Sequence, residues 1–190
     1  MTVAASGMLL SFSLTHAQKT ARWPAPATEP AEAIKTLSAA LTGRWSTREK
    51  YERFEPWGVA ELASEGEIVW RPGPGGLTLL EEYRTKTPIG ELIGFGIIWW
   101  DQKRQLQHLF CANVEPAGCA LFPPPPLPSP TWNGKELVLV NEMAIAGKTY
   151  AWREVTTITS PTTFQQTIDI GESHARMTRW LTSQATKIGT

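Results

Sequence analysis

The groups in this chain that could transfer protons are carboxylates and a histidine on predicted strands. Glu81 and Glu82 are adjacent, so their side chains point to opposite faces of a strand and cannot share one proton. Asp101 lies in a predicted turn, where aspartate commonly bonds the nearby backbone. An enzyme that uses Glu81, His108 or Asp169 stays open, although no spacing supports it. We find no nucleophile elbow, no convincing Cys–His couple, no metal-spaced cluster and no phosphate loop, and we predict no catalytic residue, no metal and no cofactor.

The other reactive side chains have structural explanations. His108 shares a predicted strand face with Leu106 and Phe110, which favours an interior or rim histidine over a metal ligand. Cys111 and Cys119 flank the predicted hairpin turn NVEPAG, and they are not spaced as a redox pair or a zinc site. A disulfide between them requires a strand register that brings their Cα atoms within bridging distance, which the sequence does not fix.

Composition bounds the class of protein. The 190 residues include 18 Lys+Arg and 18 Asp+Glu, so the formal net charge is zero. A surface that follows nucleic-acid phosphates needs a basic excess, so we expect no nucleic-acid partner. The length fits one domain with a sizeable core. Nine tryptophans suit half-buried walls, where one edge of the indole stays polar.

One helix and about ten strands must position these residues. The segment EPAEAIKTLSAALTG (29–43) places Ile34, Leu37 and Leu41 on one helical face, and Gly43 ends the helix. Short segments rich in β-branched and aromatic residues follow, separated by turn sequences. No helical pattern lies between them, so the sheet is antiparallel, and a sheet of this length must curl and close or split. The predicted strands are 44–54, 58–71, 77–86, 89–101, 104–113, 118–122, 135–146, 148–159, 162–171 and 174–183.

The strand 89–101 is apolar on both faces. One face carries Ile93, Phe95, Ile97 and Trp99, and the other carries Leu92, Ile98 and Trp100. A barrel strand with a wet exterior should alternate apolar and polar residues, so the outer face needs a cover. We expect a homodimer through this wall, or packing of the N-terminal helix onto it.

The chain resembles a lipocalin-like, calycin-type barrel, and most closely the family called domain of unknown function 1579. The resemblance rests on five motifs in order: GRW (43–45), GGLTLLEEY (75–83), GFGIIWWD (94–101), WNGKEL (132–137) and SPTTFQQTID (160–169). It implies an all-β, up-and-down antiparallel barrel of about ten strands with a short N-terminal helix. It also implies that Gly43 and Trp45 close the floor of the barrel, with Arg176 or Arg179 lying across the indole.

Haem-binding relatives of this barrel class, the nitrobindins, extend the first motif to Gly-x-Trp-x-Gly-x-Gly and carry a late histidine that binds iron. This chain has STREK after Trp45, without those glycines. It does have a late histidine, His174, beside the predicted turn GES. We therefore favour a surface histidine there, with haem binding as a minor alternative.

A barrel interior lined by apolar side chains predicts a site for a small hydrophobic ligand. The candidate lining residues, chosen by strand position, are Tyr83, Phe95, Trp99, His108 and Trp152. The same composition fits a filled barrel that acts as a structural or interaction domain through a homodimer. Both hypotheses remain open at this stage.

The N-terminal segment predicts export. Residues 1–18 carry an apolar stretch and end in THAQ, which resembles a signal peptide, although its start lacks Lys and Arg. Residues 19–28 form a Pro/Ala-rich linker and 29–184 the barrel domain. We expect a periplasmic or secreted protein with no segment long enough to span a membrane as a helix.

Overall fold

The computed structural model describes residues 31–57, 60–88, 90–101, 105–113, 118–122, 127–145 and 147–189. The predicted signal peptide (1–18) and linker (19–28) lie outside this range. One helix precedes a series of strands: α1 (Glu32–Leu41), β1 (Gly43–Tyr51), β2 (Leu62–Pro72), β3 (Thr78–Thr87), β4 (Gly90–Trp100), β5 (Leu106–Ala112), β6 (Gly118–Phe122), β7 (Thr131–Trp132), β8 (Glu136–Ile145), β9 (Lys148–Ser160), β10 (Thr163–Ser173) and β11 (Arg176–Gly189).

The strands form one antiparallel sheet that nearly closes. Their order is β6-β5-β4-β3-β2-β1-β11-β10-β9-β8-β7. Strands adjacent in sequence therefore pair, except β6 and β7 at the two ends of the sheet, and β1 pairs with β11. The two ends of the sheet approach each other where β6 contacts β8. The structure confirms the predicted all-β barrel with a short helix before its first strand. The two-residue strand β7 is an addition that the sequence did not predict.

Strand β1 shows how side chains are divided between the interior and the surface. Its residues alternate strictly between buried and exposed, with Gly43, Trp45, Thr47, Glu49 and Tyr51 facing inward. The period of two follows from the pleat of a β-strand. The ladders with β2 and β11 carry this division to both neighbouring strands, so one register fixes which residues line the interior.

Helix α1 and Trp45 close one end of the barrel. Ile34, Leu37 and Leu41 on the helix are fully buried, as is Trp45. The indole Nε1 of Trp45 donates a 2.7 Å hydrogen bond to the Leu41 carbonyl oxygen, and its ring lies 4.8 Å from the ring of Phe164. The helix therefore packs on the barrel floor, and this end of the barrel is filled.

The basic residue over Trp45 is Lys187, whose Nζ lies 5.3 Å from the centre of the indole. The prediction that Arg176 or Arg179 covers the indole is wrong. Strand β11 continues to Gly189, beyond the predicted end at 183, and this length places Lys187 opposite Trp45 in the β1–β11 ladder. Arg176 and Arg179 lie at the other end of β11.

Gly43 is needed at this floor for two reasons. Its φ of 138° is one that residues with a side chain rarely adopt. A Cβ at this position would also collide with the Lys187 side chain and lie 2.8 Å from the Gly189 carbonyl oxygen. The glycine lets β1 and the end of β11 approach closely beside Trp45.

Two apolar clusters occupy the barrel. The floor cluster contains buried side chains from α1 and eight strands: Ile34, Leu37, Leu41, Trp45, Ile68, Trp70, Leu79, Ile98, Leu106, Leu137, Leu139, Phe164 and Ala185. The upper cluster contains Tyr51, Phe54, Tyr150, Ile168, Ile170, Trp180 and Leu181, with Leu62, Met143 and Trp152 packed against it. Buried polar side chains also face the interior, on β1, β3, β5, β8, β9 and β11.

Candidate functional site: a polar group inside the barrel

Strand β4 faces the opposite way from the prediction. Its buried residues are Gly94, Gly96 and Ile98, whereas Ile93 and Phe95 are 39% and 36% exposed. Phe95 and Trp99 belong to the outward row, so the prediction that they line the interior is wrong. The inner side of this strand is set by its glycines and not by its larger residues.

Partner side chains occupy the space over the two glycines. A Cβ on Gly94 would collide with the ring of Phe110. A Cβ on Gly96 would lie 2.7 Å from Oε2 of Glu81 and 2.9 Å from Nε2 of His108. The motif GFG therefore turns its phenylalanine outward because the inner positions must be empty for β3 and β5 to place their side chains there.

The other three predicted lining residues face the interior. Tyr83 lies on β3, His108 on β5 and Trp152 on β9. Tyr83 and Trp152 are partly buried, and His108 is 5% exposed. They do not form one apolar wall. Each is next to a carboxylate, and of these three carboxylates (Glu49, Glu81 and Glu154) sequence reasoning had considered only Glu81, in the enzyme alternative.

Glu49 is the centre of the first polar group. Its carboxylate is buried and accepts hydrogen bonds shorter than 3 Å from four hydroxyls: Thr47 (2.8 Å) and Tyr83 (2.9 Å) on Oε1, and Tyr51 (2.8 Å) and Thr85 (2.6 Å) on Oε2. A fifth, longer bond of 3.5 Å comes from Ser64 Oγ to Oε2. Burial, followed by the charge of Glu49, raises the pKa of Tyr51 and of Tyr83 far above that of a free phenol. The phenols therefore stay protonated as donors, and Glu49 is satisfied within the protein.

A second group, which we call the acid–histidine group, consists of Glu81, His108, Glu154 and Gln166. Glu81 and His108 are 7% and 5% exposed, and Oε2 of Glu81 lies 3.7 Å from Nε2 of His108. Gln166 Nε2 donates a 2.7 Å hydrogen bond to Oε1 of Glu154. These side chains come from β3, β5, β9 and β10, so only closure of the barrel brings them together.

Glu154 has an unusual proton affinity. Burial and then the charge of Glu81 raise its pKa from 4.5 to about 7, against the opposite effects of His108, Gln166 and Trp152. A carboxyl group that changes protonation near neutral pH is a common property of functional sites, although structural ion-pair networks share it. The alternation of β9 was the only sequence signal for Glu154, because Trp152 and Glu154 share a face.

Among the buried polar atoms without a hydrogen-bond partner in the described part of the chain are Trp70 Nε1, Asn141 Oδ1 and Ser183 Oγ. Each lies next to the polar groups by strand register. Trp70 is opposite Glu81, Asn141 is opposite Trp152, and Ser183 is opposite both Glu49 and Gln166. Buried polar atoms are nearly always satisfied in native proteins, so these atoms indicate a place where water or a ligand binds.

The described residues do not form a metal site. No group of three or more His, Cys, Asp or Glu side chains among them is arranged to hold a metal ion. His174 lies exposed in the turn between β10 and β11, with Nε2 3.9 Å from Oε1 of Glu142. Asp169 is bound at the outer surface by Arg179 and is not part of the interior. No helix of the described chain is long and apolar enough to cross a membrane.

Cys111 and Cys119 form a disulfide that joins β5 to β6 on the outer face of the barrel. The two residues are directly opposite in the ladder, with Cα atoms 3.9 Å apart. This register is the information that the sequence lacked.

Comparisons with known proteins support the barrel fold, but they identify neither a family nor a function. No protein-family model matches the chain, and no curated protein does, so the likeness to domain of unknown function 1579 stays a prediction. The structure of Rv2717c from M. tuberculosis aligns with a TM-score of 0.56 at 13% identity, over 84% of this chain and 99% of that one. This likeness agrees with the nearly closed antiparallel barrel described above.

Two further solved structures align less well. The redesigned barrel mFAP0, bound to DFHBI, has a TM-score of 0.41 at 13% identity, over 78% of this chain and 99% of that one. The phycobiliprotein lyase CPES from Guillardia theta has a TM-score of 0.43 at 8% identity, over 83% and 92%. These alignments carry no argument about function.

Proposed function

We propose that the protein binds a small molecule inside the barrel, at the acid–histidine group beside the upper cluster. The observation that carries this proposal is that buried Glu81 and His108 lie together with half-buried Glu154 in the interior. Burying such groups costs free energy, and apolar residues of similar volume fill a barrel at lower cost. A filled structural barrel gives no reason for them, whereas a binding site does.

The upper cluster supports a ligand with an apolar body. Trp152 and Met143 pack against the cluster at its edge, and the Trp152 ring lies 5.6 Å from that of Trp180. Binding sites commonly combine such aromatic walls with a few polar groups that fix orientation. The ligand proposed from the sequence was simply hydrophobic. The interior carboxylates favour one that also carries a polar group.

Native mass spectrometry of the protein purified from its own host tests this proposal. We expect an extra mass that is lost on denaturation, and a reduced amount of it in Trp152→Ala. Thr186→Ala, on the exposed outer face of β11, is the control. A chain mass without any addition, together with no binding in a titration of apolar probes, contradicts the proposal. Absorbance near the haem Soret band would instead support the haem alternative.

We also propose that the chain is exported, as its N-terminal segment predicts. The disulfide between Cys111 and Cys119 supports this, because disulfides persist in oxidising compartments. Fractionation of host cells, with sequencing of the mature N-terminus, tests it. A cytoplasmic chain that keeps Met1 would contradict the proposal.

A homodimer is a second candidate function. The outer face of β4–β6 exposes Ile93, Phe95 and Leu121, at 39%, 36% and 44%, beside the disulfide. Contiguous exposed apolar residues are typical of interaction surfaces. Sedimentation equilibrium should show a dimer that Phe95→Arg dissociates and Thr186→Arg does not. A monomer at micromolar concentration contradicts this candidate and leaves ligand binding untouched.

A further inference from the structure

We infer that the interior site selects ligands with a protonated amine, which Glu81 and Glu154 bind while the apolar body of the ligand lies against Trp152 and Met143. This inference rests on the proposed function and names its ligand class. Its basis is the charge balance of the inner wall, the buried polar atoms that lack partners, and the position of Gly96.

The charges on the inner wall favour a cation. On the inner wall of the described chain, the carboxylates are Glu49, Glu81 and Glu154, and the basic side chains are His108 and Lys187. At the exposed rim, Lys148 and Glu172 share these strand faces but pair with each other, so they leave the charge balance of the interior unchanged. Glu49 is satisfied by its hydroxyl donors, and Lys187 lies over Trp45 at the floor. Glu81 and Glu154 therefore share one imidazole between them, which leaves acceptor capacity for a bound cation.

The unpartnered atoms provide an independent indication. Asn141 is 7% exposed, its Oδ1 lacks a partner, and it faces the interior opposite Trp152. A protonated amine has three N–H donors. The acceptors available on this part of the wall are the two carboxylates and Asn141 Oδ1. Trp70 Nε1, a donor opposite Glu81, can orient that carboxylate when the site is occupied.

Other ligand chemistries fit less well. An anion would be repelled by Glu81 and Glu154. A neutral, wholly apolar ligand would leave Asn141 Oδ1 and the remaining acceptor capacity of the two carboxylates unused in a low-dielectric interior, which is costly. A metal ion is disfavoured because the described residues offer no metal-binding arrangement. An organic ammonium group combines the charge and the donors with a body that the aromatic wall can bind.

Gly96 holds the carboxylate and imidazole of this site together. Glu81 and His108 converge over its Cα, where any Cβ would meet both side chains. The site therefore depends on a residue that contacts no ligand. Gly96→Ala should lower amine affinity by separating the two side chains, so Gly96 is a positioning residue.

Isothermal calorimetry with three probes of one shape tests the inference: 1-naphthylmethylamine, 1-naphthylmethanol and 1-naphthoate. We expect the amine to bind at least about ten-fold more tightly than the alcohol, and the acid not to bind, because charge-assisted hydrogen bonds are the stronger class. Glu81→Gln and Glu154→Gln should remove the preference for the amine. Glu82→Gln, the neighbouring residue on the outer face, should keep it because Glu82 pairs with Arg71 at the surface.

The outcomes separate the inference from the proposed function. If the alcohol binds as tightly as the amine, or if both interior variants keep the preference, the inference is wrong and ligand binding stands. If no probe binds and the native protein retains no small molecule, both are wrong and water fills the site. The Glu154→Gln substitution preserves the shape of the side chain and removes a charge from the interior. We therefore expect this variant to fold even if Glu81→Gln does not.

Discussion

Replacing Glu154 by glutamine should stabilise the protein at neutral and alkaline pH and leave its stability at acidic pH almost unchanged. The substitution keeps the volume of the side chain and its capacity to accept the bond from Gln166. It removes a carboxylate whose charge is disfavoured by burial and by Glu81. The effect of the variant therefore depends on how much Glu154 is ionised at the pH of the measurement.

The sign of this pH dependence follows from proton binding. The pKa of Glu154 is about 7 in the folded protein and near 4.5 when the chain is unfolded. Between these values the folded state binds more protons, so the free energy of unfolding falls as pH rises. Below pH 4.5 both states are protonated and the penalty is absent, and above pH 7 it is fully present.

The magnitude follows from the same two values. At about 1.4 kcal/mol per pH unit, the difference between 4.5 and about 7 corresponds to about 3 kcal/mol. Because Glu154 is only partly buried, solvent screens part of this effect, and we expect Glu154→Gln to raise the free energy of unfolding by about 2 kcal/mol. For a chain of this length that change raises Tm by about 4–8 °C.

Thermal unfolding by circular dichroism at pH 4, 6 and 8 checks this prediction. The difference in Tm between Glu154→Gln and the wild type should be near zero at pH 4 and largest at pH 8. Glu82→Gln on the outer face should show no such trend. A Tm difference that is constant across this range would refute the argument, because it would mean that the Glu154 carboxylate is not desolvated in the folded protein.

Three further predictions concern stability. Glu49→Gln should lower the free energy of unfolding in urea by about 2 kcal/mol or more. Its amide nitrogen would replace an oxygen that accepts from two hydroxyls, either Thr47 and Tyr83 or Tyr51 and Thr85. A near-neutral result would contradict the hydrogen-bond network. Trp45→Phe should lower the free energy of unfolding by about 2–3 kcal/mol, because it creates a cavity and removes the hydrogen bond to the helix. Lys187→Met should lower it by under about 1 kcal/mol, because it removes only the cation over the indole. Equal decreases in Tm for the two variants would argue against a floor that the indole stabilises. Reduction of the Cys111–Cys119 disulfide should lower the free energy of unfolding by about 2 kcal/mol. The effect is modest because the two cysteines are only 8 positions apart, so the disulfide closes a short loop. The stability of the double alanine variant should not change when reductant is added.

The sequence by itself determined the class of fold. The helix before Gly43 follows from one apolar face, and the strand pattern follows from turn residues and alternation. Those signals are local, with periods of 3.6 and 2 residues, and therefore need no knowledge of distant contacts. The place of Trp45 at the floor came from a resemblance to other barrels, and the burial of the indole under α1 agrees with it.

Closure of the barrel decided what the interior contains. On β4, the larger residues Phe95 and Trp99 were expected inside, yet Gly94 and Gly96 take the inner positions because Phe110, Glu81 and His108 fill the space over them. The length of β11 decided likewise that Lys187, and not an arginine, covers Trp45.

The acid–histidine group depended on tertiary structure altogether. Its residues are separated by up to 85 positions, from Glu81 to Gln166, and lie on strands that face each other only when the sheet curls. A one-residue change of register would turn each of them to the outside. Alternation tells which residues share a face, but packing against partners far along the chain decides which of the two faces is the interior.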